Sequence, residues 1–330
     1  MECGIGTYSR FNRILKGTNK EIVIITGYNA AGKSTLVEDY VSKGYARVNR
    51  DFDGSSLDEC AISAKNLIRD FNNPVVLDNT YPSVKSRASI ISAAKTVGVP
   101  IHCVHLTTSM EDAQLNACLR MMRRTGKILG PEDFKKSNDP NLFPPAAIYH
   151  YRKEFQKPTK AEGFASVTEV PFVRKWGREY NNKAILVDYD GTLRLSTGTQ
   201  KYPVLKSDIK ILPKRAEILN EYKKNGYYIL GVSNQSGVAK KIITHEECTQ
   251  RFVDTNKMLG NLVDEFMFCP HSVPPIVCYC RKPAPGLGAY FIEKYKLNPA
   301  NCLMVGDMTS DKTFAGRCGF EYEDANEFFK

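Results

Sequence analysis

The first residues able to do chemistry are Gly27-Tyr28-Asn29-Ala30-Ala31-Gly32-Lys33-Ser34, which follow the apolar run Ile22 to Thr26 and open a helical pattern. A G-x-x-x-x-G-K-[ST] sequence between strand and helix lets backbone N–H groups converge on phosphate oxygens at the positive end of the helix. Lys33 neutralises the β and γ oxygens and Ser34 holds Mg²⁺. The expected ligand is a nucleoside triphosphate, ATP as phosphate donor, contacted by Gly27, Gly32, Lys33, Ser34 and Thr35. On the acceptor side, V-N-R-D places Asp51 after a short second strand, where a carboxylate accepts a hydroxyl proton or caps a helix. Asp78, Asn79 and Thr80 end the next strand, at the sheet edge where ligands of open α/β folds bind. Asp78 either supports the metal or caps the helix that starts near Ser83. Arg120, Arg123, Arg124 and Lys127 follow in a helical pattern, with Arg120 and Arg124 on one face at i, i+4. They form a solvated basic face or a lid that closes over the phosphates.

A second set begins at Asp188-Tyr189-Asp190-Gly191-Thr192-Leu193, where two carboxylates leave the strand Ala184 to Val187 and can address one metal. Ser233 and Asn234 end a later strand, Lys282 stands in R-K-P-A-P-G, and Asp307 and Asp311 stand in V-G-D-M-T-S-D. Just before Lys282, C-P-H-S-V-P-P-I-V-C-Y-C presents Cys269, His271, Cys278 and Cys280. Three thiolates and one imidazole suit tetrahedral Zn²⁺ in a closed, structural site; without a metal they are buried thiols beside a chance histidine. The other seven of the ten cysteines show no ligand spacing.

These residues need two scaffolds. Short buried runs alternate with helical patterns twice, around Ile22 to Thr26, Pro74 to Leu77 and Ile101 to Leu106, then around Ala184 to Val187, Tyr228 to Val232, Glu265 to Phe268 and Cys302 to Val305. Such alternation predicts two α/β domains, each a parallel sheet with helices on both faces. A length of 330 residues accommodates both. The polar stretch 173–183 reads as a linker between a domain over 21–172 and one over 184–330, with 1–20 as an N-terminal extension. Composition, 42% hydrophobic and 25% charged, excludes collagen, coiled-coil and wholly disordered classes. No apolar run spans a bilayer and no secretory signal opens the chain, so no membrane partner and a cytoplasmic or nuclear location are expected. The net charge of +10 attracts a polyanion or a phosphorylated substrate.

From the phosphate loop, V-N-R-D, D-N-T-Y-P at Asp78 to Pro82 and Y-R-K-E-F-Q-K-P-T-K-A-E-G-F at Tyr151 to Phe164, residues 21–172 resemble the P-loop kinase domain of polynucleotide kinase/phosphatases. That resemblance implies γ-phosphate transfer to a 5′-hydroxyl of DNA or RNA, with Asp51 as general base and Arg120 or Arg124 as clamp. The four ordered motifs from Asp188 to Asp311 resemble haloacid dehalogenase-type phosphohydrolases. They imply Asp188 as nucleophile, Asp190 as acid/base, Mg²⁺ held by Asp188, Asp307 and the carbonyl of Asp190, and Ser233, Asn234 and Lys282 around the phosphoryl group. Only 42 residues separate Asp190 from Ser233, and 48 separate Ser233 from Lys282, which leaves no room for a cap domain. The metal loop resembles that of heptose bisphosphate and histidinol-phosphate phosphatases. The reading is a bifunctional end-healing enzyme, a 5′-hydroxyl kinase and 3′-phosphatase acting on DNA or RNA ends. The alternative is a small-molecule kinase fused to a sugar- or amino-alcohol-phosphate phosphatase.

Overall fold

The structure, a computed structural model, describes residues 20–50 and 56–330, so Asp51 lies outside the described residues. The described residues form two compact units, one from the parts of 20–116 and 139–177, the other from 117–138 and 178–330.

The first unit holds a parallel sheet ordered β2-β3-β1-β4-β5, from Ala46–Val48, Val75–Asp78, Ile22–Thr26, Ile101–Leu106 and Ser166–Val170. All five residues of β1 are buried because alternate side chains serve opposite faces. Ile22 and Ile24 pack with Ala64 and Ile68 of α2 (Leu57–Phe71) and Ile90 of α3 (Val84–Thr96). Val23 and Ile25 pack with Leu36, Val37 and Tyr40 of α1 (Lys33–Val41). Ser56 and Glu59 form the capping box that starts α2, and Ser83 with Ser86 starts α3. Asp78 is therefore not the cap of that helix.

α4 (Met110–Thr125) begins in the first unit and ends in the second. The structure groups 117–138 with the second unit, whereas the sequence reading counts it in the first domain. The physical reason is visible in the side chains. Arg123 pairs with Glu293 at 2.7 Å and Phe134 meets the ring of Tyr279 at 6.3 Å. Lys127 falls beyond the helix and pairs with Asp133. Two further short helices, α5 (Pro131–Lys136) and α6 (Pro145–Glu154), follow.

The second unit repeats the parallel design in the order β10-β9-β6-β11-β12, from Glu265–Cys269, Tyr228–Asn234, Asn182–Val187, Leu297–Gly306 and Glu321–Asp324. A small antiparallel ribbon, β7 (Arg194–Ser196) with β8 (Ile209–Ile211), follows β6. The helices are α7 (Arg215–Lys224), α8 (Ser236–Ala239), α9 (His245–Met258), α10 (Gly286–Tyr295), α11 (Thr309–Cys318) and α12 (Ala325–Phe328). Ile185 and Val187 share a core with Leu219 of α7 and Phe252 of α9. In both units the chemistry-bearing residues stand at or just beyond the carboxyl ends of parallel strands, where a doubly wound sheet leaves its crevice. Among the described residues no helix is long and apolar enough to cross a membrane.

Candidate phosphoryl-transfer sites

In the first unit, the loop from β1 to α1 takes a shape that only small residues allow. Gly27 has φ +153°, and a Cβ there would lie 3.2 Å from Leu106 and 3.3 Å from Ala31. Gly32 has φ +95° and caps α1 without any side-chain bond, so the N–H groups of the first turn are not spent on a capping side chain. Lys33 folds back onto its own loop, donating to the carbonyls of Gly27 (3.1 Å) and Tyr28 (2.7 Å). Ser34 Oγ donates to Asp78 Oδ2 at 3.1 Å, which brings the loop hydroxyl and the strand-end carboxylate together. Arg47 on β2 reaches the same oxygen at 2.5 Å, a partner not foreseen from sequence. Asn49 donates to the Asp78 carbonyl and Asn79 accepts from the Arg50 N–H, which ties the ends of β2 and β3.

The loop is also braced from α4. Asn116 Nδ2 donates to the Ala30 carbonyl at 2.9 Å, and Arg174 in turn donates to Asn116 Oδ1 at 2.5 Å and to Asp112. Thr35 lies within α1. Arg120 is half-buried and Arg124 exposed, both in the part of α4 that belongs with the second unit.

In the second unit the sequence set converges. Lys282, 4% exposed, directs Nζ to Asp188 Oδ1 (2.7 Å), to Asp311 Oδ1 (2.7 Å) and to the Val232 carbonyl (2.9 Å). Asn234 fixes the lysine's backbone from both sides, accepting from its N–H at 2.9 Å and donating to its carbonyl at 3.0 Å. Asp188, Asp307 and Asp311 offer oxygens within 4.8 Å of one another. Asp311, not among the expected metal ligands, thus joins Asp188 and Asp307. Burial and the neighbouring Asp188 push the Asp307 carboxyl above its ordinary value. Burial also raises Asp311, against the pull of Lys282. Burial works against the ammonium of Lys282, but Asp188 and Asp311 leave it held more firmly charged than usual. Three carboxylates facing one ammonium carry more negative charge than it cancels, so the set fits a divalent cation. Gly191 permits the approach: at φ +96°, a Cβ would sit 2.3 Å from Asp307 Oδ2.

Asp190 faces other partners. Its Oδ1 accepts from Arg194 Nε at 2.8 Å and its Oδ2 from Gln235 Nε2 at 2.6 Å. Burial raises its pKa, opposed by Arg194. Neither Arg194 nor Gln235 stands out in sequence, since an arginine after the acidic motif reads as a surface residue. Gln235 also donates to Ser233 Oγ at 2.9 Å.

The metal loop closes on itself. Cys269 Sγ lies 3.7 Å from Cys278 Sγ and 3.5 Å from His271 Nδ1, which lies 3.3 Å from Cys280 Sγ. A tetrahedral centre with metal–sulfur bonds of about 2.3 Å and metal–nitrogen bonds of about 2.05 Å spaces its ligands about 3.8 Å (S···S) and about 3.6 Å (S···N) apart. The four atoms are thus set for one tetrahedral metal, and Arg281 donates to the His271 carbonyl at 3.0 Å beside them.

A strand-end carboxylate pair, a hydroxyl near the end of β9, a lysine before α10 and carboxylates after β11 stand together at one sheet edge, a set able to transfer a phosphoryl group with a divalent cation. Residues 183–329 match the family described as polynucleotide kinase 3 phosphatase. That match takes in the second unit's sheet and both of its candidate metal sets. The chain is 35% identical over 158 residues to a bifunctional polynucleotide phosphatase/kinase of Schizosaccharomyces pombe, a stretch covering 48% of this chain and 35% of that protein. It is 32% identical over 138 residues to a D-glycero-beta-D-manno-heptose-1,7-bisphosphate 7-phosphatase of Haemophilus influenzae, covering 39% of this chain and 73% of that one. A solved Pnkp1/Rnl/Hen1 complex aligns over 95% of this chain and 98% of its own at 14% identity, with a TM-score of 0.34.

Proposed function

We propose that the protein heals nucleic-acid ends, passing the γ-phosphate of ATP to a 5′-hydroxyl in its first unit and removing a 3′-phosphate in its second. The observation that carries this reading is the pairing, in one chain, of a phosphate loop with its Ser34–Asp78 contact and the buried Asp188–Lys282–Asp311 cluster. The polynucleotide phosphatase/kinase relative and the family match of residues 183–329 support it. The path from Asp190 to Lys282 holds only the β7–β8 ribbon, α7, β9, α8, α9, β10 and the metal loop. Among the described residues no separate cap domain intervenes between Asp190 and Lys282, which leaves room to admit a polymer end.

In the first unit, loop N–H groups and Lys33 hold the ATP phosphates, and Ser34 with Asp78 would hold Mg²⁺, which supplies charge cancellation between the β and γ oxygens. Asp51 takes the proton of the attacking 5′-hydroxyl.

In the second unit, Asp188 attacks the phosphorus. The bond to the 3′-oxygen breaks, its electron pair stays on that oxygen, and Asp190 gives the proton. Asp190 then takes a proton from the water that hydrolyses the aspartyl phosphate and frees Asp188. Ser233 and Lys282 bind the transferred phosphoryl group. Asp188, Asp307 and the Asp190 carbonyl, with Asp311 adjoining, would hold Mg²⁺, which would supply the charge that offsets repulsion between carboxylate and phosphate. Zn²⁺ fits the closed Cys269–His271–Cys278–Cys280 set as a structural metal.

The test is turnover on oligonucleotides carrying 5′-hydroxyl and 3′-phosphate ends against heptose bisphosphate. Polymer substrates should lose affinity steeply as salt rises, because their counterions are released on binding. Faster turnover of the sugar phosphate, or no kinase turnover on 5′-hydroxyl ends, would replace this reading with the sugar-phosphatase one.

A further inference from the structure

Arg194 is the least expected residue of the second unit. Its guanidinium is buried, 1% exposed, yet its Nε is reserved for Oδ1 of Asp190. A second nitrogen is engaged as well. Nη1 donates to the Arg251 carbonyl (2.9 Å) and to Thr255 Oγ1 (2.6 Å) on α9, and the plane lies over Phe252 at 4.8 Å and Tyr189 at 5.2 Å. Burying a cation this way is costly, and an apolar side chain of similar volume would pack the same space without that cost. The ion pair therefore needs a reason other than stability.

Geometry supplies it. The loop that follows β6 turns tightly, with the Leu193 and Arg194 N–H groups both donating to the Tyr189 carbonyl, so Arg194 returns beside Asp190. Arg194 takes one carboxyl oxygen and Gln235 the other, leaving Asp190 one orientation with a second lone pair open on each oxygen. Gln235 is itself fixed, 1% exposed, with its N–H on the Cys269 carbonyl at 2.8 Å. Its amide also occupies a lone pair of Ser233 Oγ, which leaves the hydroxyl proton for a phosphoryl oxygen.

We propose that Arg194, acting with Gln235, is the positioning residue of the acid/base Asp190, holding its carboxyl where the proton meets the departing oxygen. The inference rests on the proposed phosphatase reading. Both residues act through the Asp190 carboxyl. A misplacement of about 1 Å in such a group costs on the order of a hundredfold in rate, and the loss falls only on steps that need the proton.

That restriction makes the role testable by leaving group. First-turnover rates are measured on full-length protein with a 3′-phosphorylated oligonucleotide, whose alkoxide must be protonated, and with para-nitrophenyl phosphate, whose phenolate departs without a proton. Arg194→Met should lower the oligonucleotide rate at least about tenfold more than the aryl rate, within the range of general acid catalysis. Arg194→Lys keeps the charge without the planar fork and should fall between. In an Asp190→Asn background, Arg194→Met should leave the ratio of the two rates where Asp190→Asn alone puts it, because both act on one proton. Equal slowing of the two substrates in Arg194→Met would overturn the proposal and leave Arg194 a packing residue. Thermal unfolding accompanies each variant, and if Arg194→Met fails to fold, Gln235→Leu and Arg194→Lys carry the same ratio test. Equal slowing by Asp190→Asn itself refutes the acid assignment beneath, which is a separate result.

Discussion

Replacing Lys282 by Met removes one cation from between two carboxylates and leaves the shape of the stem almost intact. At an effective dielectric of about 20, each 2.7 Å contact, to Asp188 and to Asp311, contributes roughly 6 kcal/mol of gross attraction. Most of that is offset by desolvating the lysine and both acids, several kcal/mol per ion. The net loss on removing one partner of such a buried set is about 3–5 kcal/mol, because two carboxylates remain buried without their counterion. For a unit of this size that lowers the midpoint of thermal unfolding by roughly 10 °C. A divalent cation seated among Asp188, Asp307 and Asp311 supplies replacement charge, so Mg²⁺ should raise the midpoint of Lys282→Met more than that of the parent. Calorimetry with chelator and with Mg²⁺ measures both effects on the second-unit transition. Phosphatase turnover, which also loses a phosphoryl-binding charge, should fall at least about a hundredfold. A midpoint within about 2 °C of the parent in chelator would mean Asp188 and Asp311 are not packed around Lys282 as described, and the reasoning would fail.

Lys33→Met should reduce kinase turnover by roughly a hundredfold or more while phosphatase turnover stays at the parent rate, since the two phosphate sites share no residue; a joint loss counts against two sites. Protein purified without chelator should hold about one zinc per chain, and Cys280→Ser should lose it along with thermal stability of the second unit; metal analysis and calorimetry decide. His105, buried and stacked on Phe155 at 5.2 Å, has a pKa lowered first by that burial. A base with a depressed folded pKa binds its proton better when unfolded, so stability is present above about pH 6.5 and lost as pH falls through that range. His105→Gln should flatten that part of the first unit's stability curve, and an unchanged slope would show that another group titrates.

What was legible in the sequence follows the range of each interaction. β1 and β6 declare themselves because both faces are covered and the apolar run is unbroken. The phosphate loop is equally clear, since its glycines and lysine act within eight residues of chain. β5, Ser166–Val170, is a polar edge strand with one fully buried residue and offered no such signal. α4 is read as a helical pattern from Arg120 on, but periodicity does not say which unit buries its apolar residues Cys118, Met121 and Met122.

The same limit explains why the second site was half seen. Asp188, Ser233, Lys282 and Asp307 sit in motifs whose local form survives in sequence. Asp311 was visible only as a second acid in its motif, and its contact with Lys282 depends on α11 starting where it does. Arg194 and Gln235 had no local signal at all. Each is buried and polar, and each is explained by partners at long range: Arg194 by Arg251 and Thr255, and Gln235 by Cys269 as well as by Asp190. Buried polar residues must find their hydrogen bonds somewhere in the folded chain. Where those partners stand on other strand ends and helices, the reason for the residue is written in the fold, and a rule built on neighbouring positions reads it as surface.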